Sequence, residues 1–255
     1  GNEFVLFIKA DGSLWGTGRN HQAQLGDSTR QDRNQTFRIM ESGVQQIAAG
    51  FVHSLFLKQD GSLWGMGENG GGQLGLGDSN DRLSPVEIIE GEVVDVQAKG
   101  HNSYFLKTDG TLWGMGHNNE GQLSSADLGV NQLIPVQIAS SIQRFFAGMY
   151  YLIYEKTDGT LWSVGRNLFG QLGDDRQDIH QETPTILFDQ NVSSVAAGRN
   201  AHSFVIKSDG SLWGMGNNAS GRLGDGTGKN SYGAVQIIDS NVSKVSAGES
   251  HSLFL

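Results

Sequence analysis

Short apolar runs separated by glycine-rich turns recur along this chain, and nowhere do they settle into the 3.6-residue periodicity of a helix. Residues 44–88, VQQIAAGFVHSLFLKQDGSLWGMGENGGGQLGLGDSNDRLSPVEI, show the unit best. Val44–Ala48 is a β-branched run closed by Gly50, and His53–Lys58 is a second apolar run. Asp60-Gly61 follows, then a third run, Ser62–Met66. Asp-Gly between two short apolar runs predicts a hairpin, with a type I′ turn that needs positive φ at both central positions. The fourth run, Val86–Ile88, comes after Pro85, which is tolerated at a strand start or an edge. The unit is therefore predicted to be a four-stranded antiparallel meander. Period two puts Trp64 and Met66 on one face and Leu63 and Gly65 on the other. A large residue opposed by glycine suits sheets stacked face to face. One sheet cannot cover both of its own faces, whereas radial stacking about an axis does, and that is a β-propeller.

The unit is repeated. Asp-Gly-(Ser/Thr)-Leu-Trp begins at Asp11, Asp60, Asp109, Asp158 and Asp209. Its tryptophans, Trp15, Trp64, Trp113, Trp162 and Trp213, are 49, 49, 49 and 51 residues apart and are all the tryptophans of the protein. A period near 50 residues with strand content predicts an all-β repeat architecture, residues 1–255 forming one array. The 37 glycines, about twice average usage, recur at fixed places in the repeat and read as tight turns and close sheet packing. Aligned on the turns, Gly1–Ile8 matches Gly248–Leu255, so the chain holds five periods, 247 residues, plus one duplicated strand. The expected architecture is a ring of five four-stranded antiparallel blades, closed by pairing of the N- and C-terminal strands so that no long edge is left unpaired. In that ring one end strand is surplus or adds to a partner, a route to self-association. An arc cut from a longer protein is the other reading, and it exposes apolar blade faces.

The consensus V-x-x-(V/I)-x-A-G-x-x-H-S-x-x-(L/I)-K-x-D-G-(S/T)-L-W-G-x-G-x-N-x-x-G-Q-L-G resembles the regulator of chromosome condensation repeat, over essentially the whole chain. The resemblance implies a β-propeller of four-stranded blades, commonly about seven of them. It also implies an activity, nucleotide exchange on a small GTPase, for which those exchange factors use a hairpin wedge inserted in one blade. The even spacing here leaves no room for a wedge, since the fifth repeat gains only two residues. A plant ultraviolet-B photoreceptor of the same fold depends on clustered extra tryptophans, and this chain has none beyond the motif copies.

Eighteen basic against 27 acidic residues give a formal charge of −9, and no basic stripe interrupts the repeats. Direct nucleic-acid binding is therefore not expected. No apolar stretch approaches the roughly 18–20 residues that span a bilayer, and GNEFVLFIKADG does not read as a signal peptide. There is no cysteine, so neither disulfides nor thiolate chemistry contributes. The histidines His53, His202 and His251 share one repeat position, with His101 close by. Equivalent positions in different blades point apart, so a structural bond to loop backbone is expected rather than zinc. Asp225-Gly-Thr-Gly-Lys-Asn230 lacks a full calcium pattern, and Gly70-Gly71-Gly72 lacks the lysine of a phosphate loop. No catalytic set, cofactor motif or metal motif stands out from the repeat background.

Function is then sought where the units differ. The position before the recurrent asparagine is Arg19, Glu68, His117, Arg166 and Asn217, one residue per repeat, as in a recognition ring. The fourth repeat departs furthest from the pattern. Tyr150, Tyr151 and Tyr154 cluster there, with Leu168 and Phe169 in a loop expected to be exposed, while Phe145 and Phe146 read as core. Tyr150, Tyr151, Leu168 and Phe169 form the candidate partner-binding patch, because aromatic side chains combine buried area with a polar tip. The resulting expectation is a non-enzymatic propeller that binds a macromolecular partner, a protein, through loops on one face. Nucleotide exchange is the second reading, and a secreted carbohydrate- or surface-binding module the third.

Overall fold

The computed structural model describes residues 1–124 and 128–255. Every regular element among them is a β-strand. The chain divides into two compact units, residues 1–118 with 130–140 and residues 119–129 with 141–255.

The first unit holds three antiparallel sheets. β1 (Phe4–Ile8), β2 (Leu14–Gly18) and β3 (Arg33–Met40) pair in that order. β4 (Val44–Ala49), β5 (His53–Lys58), β6 (Leu63–Gly67) and β7 (Arg82–Ile89) form a four-stranded meander, as do β8 (Val93–Lys99), β9 (Asn102–Lys107), β10 (Leu112–Gly116) and β11 (Gln132–Ala139). Two clusters lie between these sheets. Met66, Phe56 and Trp64 pack with Leu14 and Leu25, whereas Leu55, Leu57, Leu63 and Leu74 pack with Phe105 and Met115. Alternation along β6 thus feeds a different core from each face, as the pattern predicts. Backbone bonds stitch neighbouring sheets at both strand ends: Val44 N to Gly12 O (3.0 Å) and Val93 N to Gly61 O (3.1 Å) at one, Ser28 N to Leu83 O and Gly77 N to Leu133 O (both 2.8 Å) at the other.

The second unit repeats the plan. β12 (Ile142–Ala147), β13 (Tyr151–Lys156), β14 (Leu161–Arg166) and β15 (His180–Phe188) form one sheet, and β16 (Val192–Ala197), β17 (His202–Lys207), β18 (Leu212–Gly216) and β19 (Ser231–Ile238) the next. β20 (Val245–Ala247) and β21 (Ser252–Phe254) pair only with each other. The sheet shared by the two end strands, on which the expected closure rests, is not among these pairings: β1 bonds to β2 alone, on one edge.

Two local expectations are revised. The Asp-Gly turn makes the hairpin but is not type I′. In the fourth repeat Lys156 N bonds to Thr160 O and Gly159 N to Lys156 O (both 2.9 Å), so the loop has three residues. Only Gly159 has positive φ, +85°. This is a type I turn followed by a left-handed glycine, the usual three-residue hairpin. The fourth run is also longer than its apolar core, because Pro85 lies inside β7, an outer strand with no partner on its far side.

The motif's aspartate and tryptophan are explained together. Asp60 Oδ1 accepts from Ser62 Oγ (2.6 Å) and N (2.9 Å), which holds its carboxyl below the usual range. Ser62 Oγ in turn accepts the Trp64 indole N–H (2.9 Å), and Lys58 Nζ lies 3.7 Å from the ring centroid. The same chain of contacts serves Trp15, Trp113 and Trp162. Five identical motifs therefore build the scaffold.

Candidate functional site

Beyond the last ladder pair of the second and third strands of each repeat, one more backbone bond forms. It runs from the N–H of Arg19, Glu68, His117, Arg166 and Asn217 to the carbonyls of Glu3, Val52, His101, Tyr150 and Ala201. Each variable residue is thereby set beside the residue sixteen positions earlier, and in the first, third and fourth repeats the side chains meet across the strands. Arg19 Nη1 bonds to Glu3 Oε2 (2.6 Å), His117 stacks on His101 (4.7 Å, 20°), and the Arg166 guanidinium lies 5.7 Å from the Tyr150 ring centroid. In those three repeats the variable element is thus a cross-strand pair rather than a single position.

In the first unit Glu68 and the His101–His117 pair come together. His101 Nδ1 is 3.3 Å from Glu68 Oε2 yet off the line of a hydrogen bond, and Gln73 Nε2 donates to the same oxygen (2.9 Å). Burial, reinforced by His101, lowers the pKa of His117, and Glu68 opposes the shift. Arg19 and Glu3 form an exposed pair of the kind that contributes little to stability.

In the second unit Tyr150 and Phe169 are half-buried and Leu168 is exposed. Asn167 N bonds to Ile179 O (2.7 Å), bringing the exposed Ile179 beside Leu168, and Tyr232 Oη donates to Leu168 O (3.2 Å). Arg166 Nε is 4.0 Å from Glu120 Oε1. Tyr150, Arg166, Leu168, Phe169 and Ile179 make a mixed aromatic, apolar and cationic loop surface.

Two predicted residues belong to the scaffold instead. Tyr151 is fully buried, and its hydroxyl donates towards His202 O (2.9 Å) and accepts from Ser203 Oγ (3.0 Å). It occupies the place of His53, whose Nε2 lies 3.0 Å from Ser103 Oγ, and of His202, 3.2 Å from Ser252 Oγ. This residue therefore ties its sheet to the next, and the histidines reach a serine hydroxyl there, His202 also facing the loop backbone of Asn200 and His251. Asn217 is 7% exposed and its Oδ1 accepts Ala219 N (3.0 Å). In other repeats a glutamine accepts the next amide along, as Gln73 does from Gly71 N (2.7 Å) and Gln171 from Phe169 N (3.0 Å). The fifth repeat has Arg222 in the glutamine position, which cannot accept and whose Nη1 donates instead to Glu249 O (3.2 Å) and Asn200 O (3.3 Å).

Glu3 and His101 were missed as pair partners, although their constant spacing from Arg19 and His117 was available in the sequence. In the Asp225 loop, Asn218 Nδ2 donates to Asp225 Oδ1 (2.9 Å) and Thr227 O (3.2 Å), so the amide occupies the space a cation would take. Among the described residues no three histidine or acidic side chains converge as a metal site, and no helix is long and apolar enough to cross a membrane.

Two family models, each described as the regulator of chromosome condensation (RCC1) repeat, match the chain. One covers residues 60–106, 158–206 and 209–255, the other 44–73, 93–122 and 192–222. No curated protein sequence matches. Among solved structures, human WBSCR16 superposes with a TM-score of 0.84 at 23% identity, over 100% of this chain and 70% of that one. Yeast RCC1 (Prp20), solved with bound Kap60, gives 0.83 at 21% identity over 98% and 63%. Prp20p of Saccharomyces cerevisiae, described with its binding properties to Gsp1p and histones, gives 0.83 at 22% over 99% and 66%. The chain thus spans about two thirds of the length of these propeller relatives.

Proposed function

From the premise that this chain belongs to the regulator of chromosome condensation repeat family, we propose that it is a non-enzymatic protein-binding scaffold. Its partner docks on the loops that carry the cross-strand pairs. The reading takes residues 1–255 as one propeller domain with one blade per repeat. Its main support is the fourth repeat, where Tyr150, Arg166, Leu168 and Phe169 stand together at the loop end of a sheet whose Phe145, Tyr151 and Tyr154 are buried. Rigid sheets hold this surface in place, so docking needs little ordering of the chain. The yeast relative's structure with Kap60 is a precedent for protein binding by this fold.

The test is an affinity pull-down from the native source, with nucleotide removed from the extract and bound proteins identified by mass spectrometry. Tyr150→Ala with Phe169→Ala is expected to reduce capture of the dominant partner at least tenfold, a loss of about 1.4 kcal/mol, and to leave the melting temperature nearly unchanged. Undiminished capture would remove the patch from the reading, and a large loss of stability would make these residues core. A small GTPase as the dominant partner would favour the exchange reading. Capture of no protein, with binding on a glycan array, would favour the carbohydrate reading.

A further inference from the structure

At the Asp-Gly end of each repeat a lysine ammonium lies near the face of the motif tryptophan. Lys9, Lys58, Lys156 and Lys207 hold Nζ 3.6, 3.7, 4.2 and 4.4 Å from the ring centroids of Trp15, Trp64, Trp162 and Trp213. Lys107 stands off at 5.4 Å from Trp113. Of these five lysines it alone has a carboxylate at ion-pair distance among the described residues, with Glu92 Oε2 3.9 Å away. A lysine on its flexible stem thus gives up part of its ring contact where a carboxylate is at hand.

Beside Lys207 the second unit has a cleft of about 670 Å³, lined by Ile186, Phe188, Asp189, Gln190, Asn191 and Lys207. Its counterpart beside Lys107 in the first unit holds about 360 Å³. Phe188 stands where that cleft has Ile89, and its ring centroid is 4.7 Å from Lys207 Nζ. Asn191 stands where it has Glu92. Their carbonyls accept equivalent bonds, from Ser208 N and Thr108 N (both 2.8 Å), and their φ values are +67° and +68°. The larger cleft is open to solvent, since Ile186, Asp189, Gln190 and Asn191 are exposed and Lys207 is half-buried. Among the described residues, none hydrogen-bonds to the side chains of Asp189, Gln190 or Asn191. Asp209 also lies close to Lys207, but it is held by Ser211 N (2.9 Å) as its counterparts are in the other repeats, so it does not set this lysine apart.

We propose that this cleft is a second binding site, for a hexuronic acid, whose carboxylate engages Lys207 as Glu92 engages Lys107. The sugar hydroxyls bond to the carboxylate of Asp189 and the amides of Gln190 and Asn191, and the C–H face of the ring rests on Ile186 and Phe188. The set of groups decides the class. One ammonium matches one carboxylate, a carboxylate accepts from hydroxyls, and carboxamides both donate and accept as hydroxyls require. The volume is that of a small-molecule site, commonly about 300–1,000 Å³. Asp189 beside the ammonium disfavours a doubly charged phosphate. β15 runs from the docking loops, at His180, to this cleft, at Phe188, so the site lies at the far end of the strand and does not depend on the reading of those loops.

The experiment titrates sodium glucuronate into the full chain, labelled with nitrogen-15, and follows the five indole Nε1–H resonances. Glucose, acetate and acetyl-glutamate-amide are the controls. Movement of Lys207 away from its ring predicts a saturable shift of the Trp213 resonance, with the other four staying in place. Glucose, which lacks the carboxylate, and acetate, which lacks the hydroxyls, are each expected to bind at least about tenfold more weakly. Lys207→Met abolishes the response. Should that variant fail to fold, Asn191→Glu carries the test, because it supplies an internal carboxylate at the φ that Glu92 already adopts. It is expected to move the Trp213 resonance without any sugar and to abolish the response to glucuronate. No saturable shift at millimolar glucuronate, equal binding of glucose or acetate, or an undiminished response in Asn191→Glu overturns the proposal. Tighter binding of acetyl-glutamate-amide than of glucuronate also overturns it, and assigns the cleft to an acidic peptide.

Discussion

At the scale of single residues, a neutral buried imidazole ties stability to pH. His53 is fully buried with its Nε2 on Ser103 Oγ, and Ser103 donates its own proton to Gln73 O (2.6 Å). Burial, reinforced by His101 and His117, pushes its pKa down to about 3 from 6.5. The unfolded chain therefore takes up a proton below pH 6.5 that the folded chain refuses until about pH 3. Falling pH across that window favours unfolding, by about 1.4 kcal/mol per pH unit for this group. His202, pushed down to about 4 chiefly by burial, acts in the same sense. Asparagine already fills the His53 position in the third repeat, as Asn102, so His53→Asn is a tolerable probe. Unfolding free energies from urea titrations at pH 7, 6 and 5 should fall less steeply for the variant, by about 0.7 kcal/mol over the first step and approaching about 1.4 kcal/mol per unit below it. An unchanged slope would mean that the imidazole is charged in the folded state. Residue roles were the least legible feature of the sequence. Tyr151 looked like surface because tyrosine is common in interfaces, and its place in register, opposite Gly165 as His53 is opposite Gly67, shows it to be a tie between sheets. Asn217 looked like a recognition residue because no spacing rule records its burial or its bond from Ala219 N.

At the scale of elements, the hairpin glycine and the loop glycine of the fourth repeat differ in what surrounds them. Gly159 and Gly170 have nearly the same φ, +85° and +86°. A Cβ on Gly159 finds only Gln190 Cγ, 4.0 Å away, whereas one on Gly170 lands on the backbone of Ser231 and Tyr232. Gly159→Ala is therefore expected to cost only the left-handed strain, about 1 kcal/mol. Gly170→Ala must also push neighbouring sheets apart and is expected to cost about 2–4 kcal/mol. Chemical denaturation of the two variants checks this, and equal costs would show that the loop yields without moving its neighbour. The strands themselves were legible because alternation and turn residues are local. Turn type was not, since Asp-Gly serves both hairpin families and only the number of loop residues separates them. The length of β7 was not either, because an outer strand continues in polar residues past its apolar core.

At the scale of the whole molecule, the question left by the strand pairing is what meets the outer edge of β1. By analogy with Ala49 opposite Ser54, a ring closed through β20 and β1 would set Ala247 opposite Val5. Instead Ala247 lies opposite Ser252. Val5→Cys with Ala247→Cys in this cysteine-free chain decides among three arrangements. A disulfide within one chain means closure, one between chains means self-association through the end strands, and persistently free thiols mean that neither forms. The repeat count was legible because five tryptophans mark it. Closure was not, because complementarity of the end sequences does not say which strand takes which partner. A last consequence follows from the cross-strand pairs. On the proposed docking surface, the first, third and fourth repeats each spell their message in two letters sixteen residues apart, and the framework that holds them is written elsewhere, in asparagine, glutamine and glycine. The message of one repeat can therefore be transcribed onto another: Val52→Tyr with Glu68→Arg would copy the fourth repeat's pair into the second, and binding specificity becomes a text that can be edited one repeat at a time.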